Sequence, residues 1–143
     1  MNRALKAGGY AVGAETKIDE IPGYLPMNPC SALQDVMYAN LVTLLGKDHV
    51  ARHIPFNGGS SDAADVAALM PVVHAYVGGA SGRAHTKDYH IVDKELAYIT
   101  AAKALIMTVI DLLADGAATG IAIKEGFTPA MTKQEYIDKW VNQ

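Results

Sequence analysis

The clearest helical pattern in the sequence lies between residues 31 and 46. Wound at 3.6 residues per turn, the segment places six residues on one side of a helix. They are Leu33, Val36, Met37, Asn40, Leu41 and Leu44. Ser31 and Gln34 have the spacing of a capping box, in which two side chains satisfy backbone amides at a helix start. Gly46 is a natural C-terminal stop, so we predict a helix over this segment.

A second, longer helix is predicted from Asp93, a residue type that caps helix N-termini, to about Asp115. Its apolar residues lie nearly all round the helix, which is typical of a helix buried in a core. The most apolar run, residues 96–114, contains Lys103 and Asp111, and each charge costs about 3 kcal/mol in a bilayer. We therefore predict a buried helix of a soluble domain and no membrane partner.

The strand-like patterns are shorter. Residues 72–77 form an apolar run between Pro71 and a glycine pair, which is typical of a buried strand, and residues 16–21 partly alternate as on a half-buried strand. Weaker helical patterns stand near the two ends, over residues 3–12 and from Thr132 to Trp140. Helices that alternate with short apolar strands indicate a layered α/β fold.

Two loops rich in glycine and small polar residues flank the predicted strand at residues 72–77. Loops at strand ends are where α/β proteins tend to bind ligands. The first loop ends in Ser60, Ser61 and Asp62, whose amides and hydroxyls suit a carboxylate or another anion. The alternative is a solvated turn in which Asp62 caps a helix over residues 63–69.

The second loop, residues 78–85, ends in His85. An imidazole ionises near neutral pH and is the commonest metal ligand, so His85 is a candidate ligand or acid/base. The alternative is a plain surface histidine. We expect His74, inside the predicted strand, to be a hydrogen-bonded core residue.

Composition narrows the classes of function. Half of the 143 residues are apolar and the formal net charge is −3, without the basic cluster that follows a phosphate backbone, so nucleic acid is excluded as a partner. The single cysteine, Cys30, forms no intrachain disulfide, and the N-terminus has no secretory signal, so we expect a cytoplasmic location. The sequence has no serine-hydrolase elbow, Walker loop, dinucleotide fingerprint or zincin helix.

The order of several short segments resembles the C-terminal third of the dinuclear-metal amidohydrolases and metallopeptidases. Within this family the chain is most similar to the branch of the p-aminobenzoyl-glutamate and hippurate hydrolases. The resemblance covers nearly the whole chain. The segments are IPGYLP at 21–26, GSSDAADV at 59–66, Met70-Pro71, GGASGRAH at 78–85, AAKA at 101–104 and FTPAMTKQEY at 127–136.

The resemblance implies an α/β fold, namely the C-terminal part of a layered, zinc-peptidase-like catalytic domain with a remnant of the lid domain. Residues 1–29 would be the end of the lid, or dimerisation, domain, and residues 30–143 would belong to the catalytic domain. His85 matches the last metal-binding histidine of the family, and Ser60, Ser61 and Asp62 would line the substrate pocket. Alanines at positions 64 and 67 replace a glycine and a serine of the family pattern.

The same resemblance implies that the other metal ligands and the general-base glutamate lie upstream of Met1, so no catalytic residue is assigned here. The complete enzyme would hold zinc or manganese, which activates the attacking water, and would hydrolyse an N-acyl amino acid or aminobenzoyl-glutamate amide. One imidazole does not hold a catalytic ion. We therefore expect this chain to be inactive alone, without a metal of its own, and to need an N-terminal half.

Two alternatives stay open. The chain could be a non-catalytic remnant that acts as an assembly or binding module and self-associates through unpaired strand edges. It could also build its own metal site from His85, Asp62 and Asp65, provided that the fold brings these three side chains together.

Overall fold

A computed structural model of the chain describes residues 1–53 and 59–141. The structure divides into two compact units. One is formed by the two ends of the chain, Met1–Gly23 and the residues from Gln134 onward, and the other is Tyr24–Lys133.

The first unit contains two helical segments. Helix α1, Asn2–Ala11, confirms the helix predicted near the N-terminus. The predicted strand at residues 16–21 is wrong, because these residues lie in no strand of the structure. The predicted C-terminal helix is confirmed. It consists of a short α-helix, Lys133–Tyr136, that continues as a π-helical turn, Ile137–Val141. Trp140 Nε1 donates a hydrogen bond to the Gly23 carbonyl oxygen at 2.9 Å.

In the second unit the first helix is α2, Ser31–Leu45, as predicted. The capping box is wrong, because Cys30 is the N-cap residue and no side chain caps the helix. The backbone N–H of Gln34 donates to the Cys30 carbonyl oxygen at 3.0 Å, which is an ordinary backbone hydrogen bond of the first helical turn. Gly46 ends the helix as predicted, with a φ of 83° that favours glycine. A short 3₁₀ turn, Lys47–His49, follows.

The long helix near the middle of the chain starts at the predicted cap. Asp93 Oδ1 accepts a hydrogen bond from the Leu96 amide at 2.9 Å, and a π-helical turn, Glu95–Thr100, leads into helix α3, Ala101–Gly126. The backbone leaves helical geometry from Ala114 to Ala117, so the first helical piece ends where the sequence predicts. Burial differs from the prediction, because only Ala104, Thr108 and Ile123 of this helix are buried.

The core lies where α2 packs against α3. One cluster is centred on Cys30, Leu33 and Ile123, and the other on Met37, Leu41 and Ala104. The helical stretch Glu95–Gly126 is long and apolar enough to cross a membrane by length and composition, and 17% of its most apolar window is buried. Core helices of soluble proteins meet the same criterion of length and composition, but they are mostly buried, whereas this helix is not.

Sheet structure in the described residues is confined to one hairpin. Strand β1, Ala80–Ser81, pairs antiparallel with β2, His90–Ile91. The prediction of a strand at residues 72–77 is wrong, because no strand pairs with this segment in the part of the chain that the structure describes. The α/β class therefore stays a prediction that rests on the resemblance.

The segment at residues 72–77 nevertheless packs against the core at two positions. Val73 and Val77 contact the core clusters, whereas the rings of His74 and Tyr76 lie side by side with centroids 5.2 Å apart. Ala75, between the two rings, is exposed.

Candidate functional site

The loop that carries His85 is held by two glycines. Gly79 has a φ of 100°, and a Cβ there would lie 2.6 Å from the Asp93 carbonyl oxygen and 2.8 Å from the Ala97 amide nitrogen. Gly82 has a φ of 88°, and a Cβ there would lie 2.2 Å from the Asp88 carbonyl oxygen. Both positions need glycine for backbone angle and for space. The sequence signalled this only as a glycine-rich run.

The loop is closed by backbone hydrogen bonds. The Gly79 carbonyl oxygen accepts from the amides of Val92 and Asp93 at 2.9 and 3.0 Å. Within the loop, the Thr86 hydroxyl donates to the Arg83 carbonyl oxygen at 2.7 Å. These bonds therefore attach the hairpin to the start of the long helix and hold the backbone of the loop that carries His85 in place.

His85 itself lies in the left-handed region, with a φ of 63°. Only a few per cent of non-glycine residues have positive φ, although histidine, asparagine and aspartate are enriched among them. Its side chain is exposed, and no residue in the described ranges forms a hydrogen bond with the imidazole. By contrast, His90 Nδ1 lies 2.7 Å from the Asp88 carbonyl oxygen in the same hairpin. Both nitrogens of the His85 ring, and Nε2 of His90, therefore have no hydrogen-bond partner among the described residues.

The loop with the three predicted substrate-binding residues precedes a short helix, Ala63–Ala67. Asn57 and Gly58, at the start of the predicted loop, lie outside the described residues. Asp62 is exposed at the helix N-cap, but its side chain does not cap the helix. The Ser61 hydroxyl oxygen accepts from the Ala63 amide at 3.2 Å and lies 3.2 Å from Asp62 Oδ1. Ser60 is exposed.

The structure does not bring His85, Asp62 and Asp65 together as a metal site. Within residues 1–53 and 59–141 no group of three or more ligating side chains could hold an ion. Asp65 has another partner, because its Oδ1 accepts a hydrogen bond from the Leu25 amide at 2.9 Å. In this arrangement the three side chains do not form the self-contained metal site.

A cavity of about 260 Å³ lies beside α2 and contains two other histidines, His53 and His74. His74 is exposed and pairs with Tyr76, so its assignment to the core is wrong. The cationic group of this cavity, Arg52, forms an ion pair with Asp35 and lies over the Tyr38 ring. Among the described lining residues, the guanidinium charge of Arg52 is therefore already paired.

No protein-family model, curated protein or solved structure matches the chain. Chemically, the hairpin offers the imidazole of His85 and Nε2 of His90, and the short helix is preceded by a serine-aspartate turn. The Ser61 hydroxyl bonds to its neighbours Asp62 and Ala63.

Proposed function

We propose that this chain provides the C-terminal part of a metal-dependent amidohydrolase that acts on an N-acyl amino acid or aminobenzoyl-glutamate amide. In this proposal His85 is one imidazole ligand to zinc or manganese, and Ser60, Ser61 and Asp62 lie beside the substrate. Residues outside this sequence supply the remaining ligands and the general base. A cytoplasmic location is part of the proposal.

The observation that carries the proposal is the conformation of His85. Its φ of 63° is uncommon for a residue with a side chain, and the hairpin around it is held by two glycines at positive φ. Such residues cluster at active sites and ligand clamps, where the surrounding structure holds them in place. A histidine held in this way, with its ring exposed, is suited to complete a site whose other groups come from elsewhere.

The order of motifs supports the same proposal, since GSSDAADV and GGASGRAH occur in the family order with a strand-like segment between them. The fold-level part of the proposal, a layered α/β catalytic domain, follows from this resemblance.

The test is complementation. The chain is mixed with the N-terminal portion of a p-aminobenzoyl-glutamate hydrolase, and the complex is assayed for zinc content and for release of p-aminobenzoate. We expect metal and hydrolysis in the mixture but in neither half alone. His85→Ala should lower the rate by about 100-fold or more and reduce bound metal, as loss of a ligand does.

His90→Ala is the matched control, because His90 lies in the same hairpin but does not match the metal-binding histidine that the resemblance implies. It should leave metal content and rate unchanged. Equal metal and rate in the His85→Ala complex would refute the role of His85. Stoichiometric metal in the lone chain would refute the need for ligands from outside this sequence.

A second candidate function, a non-catalytic assembly module, is favoured by the backbone of residues 72–77. Within the described ranges these residues form no backbone hydrogen bond, although strand-forming side chains dominate the segment. An unpaired strand is a template for an added strand. Amide hydrogen exchange tests this: the amides of residues 72–77 should exchange fast in dilute chain and slowly in an assembly, and equal rates would exclude strand addition.

A further inference from the structure

Helix α3 has large apolar side chains on the side opposite its buried residues. Ala104 and Thr108 face the core, where they are 2% and 4% exposed. Five apolar residues on its other side, and one on the π-helical turn that precedes it, are 52–66% exposed. They are Tyr98, Leu105, Ile106, Val109, Ile110 and Leu113, and together they are called the outer face.

The outer face is continuous and uncharged. At 100° per residue, the members from Leu105 to Leu113 fall within an arc of about 140°, opposite the buried side. Lys103 stands at the edge of this arc and is paired with Glu95 at 3.5 Å. Asp111 lies on the core side, where its Oδ2 accepts a hydrogen bond from Asn40. A helix that is apolar on both sides is typically covered on both sides.

The size of the outer face matches an interface. At about 100 Å² for each half-exposed large side chain, the six residues present on the order of 600 Å² of apolar surface. This is at the upper end of the range for the largest patch on a monomer, roughly 300–600 Å². It approaches the roughly 800 Å² that each partner contributes to a standard protein interface.

A protein surface fits the outer face better than a bilayer does. The helix is broken between Ala114 and Ala117, and its core side is joined by hydrogen bonds to Asn40 of α2. Insertion would therefore carry buried polar groups into lipid, where they are costly. A helix lying in the membrane interface would have basic residues on its polar face, whereas here that side is covered by α2.

We propose that the outer face binds a second copy of this chain, in a two-fold dimer. A two-fold interface needs only a patch that complements itself. An uncharged aliphatic stripe meets this condition, because no like charges meet when it packs on its own copy. A solution of the chain also always contains this partner, at the concentration of the chain itself. Dimerisation through the outer face needs neither His85 nor a metal, so it is independent of the proposed function.

The first experiment is sedimentation velocity of the full chain without metal, at concentrations from about 1 to 100 µM. The expected species has twice the 15.2 kDa mass of the chain. Val109→Glu places a charge in the middle of the outer face and should convert the dimer to a monomer. Val92→Glu is the matched control, since Val92 is 60% exposed and lies outside this face, and it should remain dimeric.

A second experiment does not depend on a disruptive variant. Ile106→Cys, near the middle of the outer face, should give a disulfide-linked dimer under mild oxidation, whereas Val92→Cys and the wild-type chain, with Cys30 buried, should not. The proposal is overturned by a monomeric wild-type chain, by polydisperse aggregates, or by a dimer that forms equally with Val109→Glu. Co-sedimentation of a monomeric chain with phosphatidylserine vesicles would instead assign the outer face to a membrane.

Discussion

Asn40 of α2 donates a hydrogen bond from Nδ2 to Asp111 Oδ2 of α3 at 2.8 Å, across a separation of 71 residues. The same amide lies 3.2 Å from the Thr108 hydroxyl oxygen, which in turn donates to the Ala104 carbonyl oxygen at 2.8 Å. Asn40 and Thr108 are both buried, and their polar atoms satisfy each other. This small network fixes the register of the two helices that form the core.

Asn40→Ala should lower the free energy of unfolding by about 2 kcal/mol, because it removes both bonds and leaves the Thr108 and Asp111 oxygens without this donor. Urea denaturation followed by circular dichroism at one protein concentration measures the change. Thr43→Ala is the control, since its exposed hydroxyl bonds only to the Ala39 carbonyl of its own helix. It should change stability by no more than about 0.5 kcal/mol. Equal losses in both variants would contradict a role for the network.

The sequence placed Asn40 on the inner side of its helix but did not reveal the partners. Helical spacing is a local property, so it located α2, its stop at Gly46 and the cap at Asp93. Thr108 and Asp111 are long-range partners, and a single sequence without covariation does not pair such positions. The same reason explains residues 72–77: their apolar run is visible in the sequence, whereas strand pairing depends on distant segments.

The candidate site was predicted in part. His85 was chosen by residue type and position after a glycine-rich run, and the structure shows it exposed on a hairpin. Its left-handed backbone follows from the closure of that hairpin, which local propensity does not encode. Asp65 was grouped with possible metal ligands, whereas the structure uses it to bind the Leu25 amide. A carboxylate that holds a distant backbone segment gives no local signal in the sequence.

Gly79→Ala should destabilise the second unit by about 2 kcal/mol or more. The positive φ is strained for alanine, and the added Cβ would lie 2.6 Å from a backbone oxygen that cannot move freely. Thermal unfolding measures the loss as a lower midpoint. Gly126→Ala, at the end of α3, is the control because nothing lies within 4 Å of its Cβ position. If the two variants melt at the same temperature, the close packing of Gly79 on the helix start is not a constraint in solution.

Asp93→Ala should cost about 1 kcal/mol of stability, since it leaves the Leu96 amide without its capping oxygen. Amide hydrogen exchange at Leu96 should become faster, with smaller changes further along the helix. Asp93→Asn keeps an oxygen acceptor and should retain most of the protection. Asp88→Ala removes an equal charge from the neighbouring loop and serves as the control. Unchanged exchange at Leu96 in Asp93→Ala would show that this cap does not form in solution.

Asp65→Ala should loosen the segment around Leu25. The bond from the Leu25 amide to Asp65 Oδ1, at 2.9 Å, has a charged acceptor and is partly buried, so its loss is worth about 1.5 kcal/mol or more. The neighbouring Tyr24 is 56% exposed and offers a cleavage site for chymotrypsin. Because cleavage follows the population of the opened segment, Asp65→Ala should be cut there about 10-fold faster.

Asp62→Ala is the matched control: its carboxylate is exposed and contacts only the Ser61 hydroxyl among the described residues, so its cleavage rate should equal that of the wild-type chain. Faster cleavage in both variants would mean that the short helix Ala63–Ala67, and not the bond to Leu25, controls the opening.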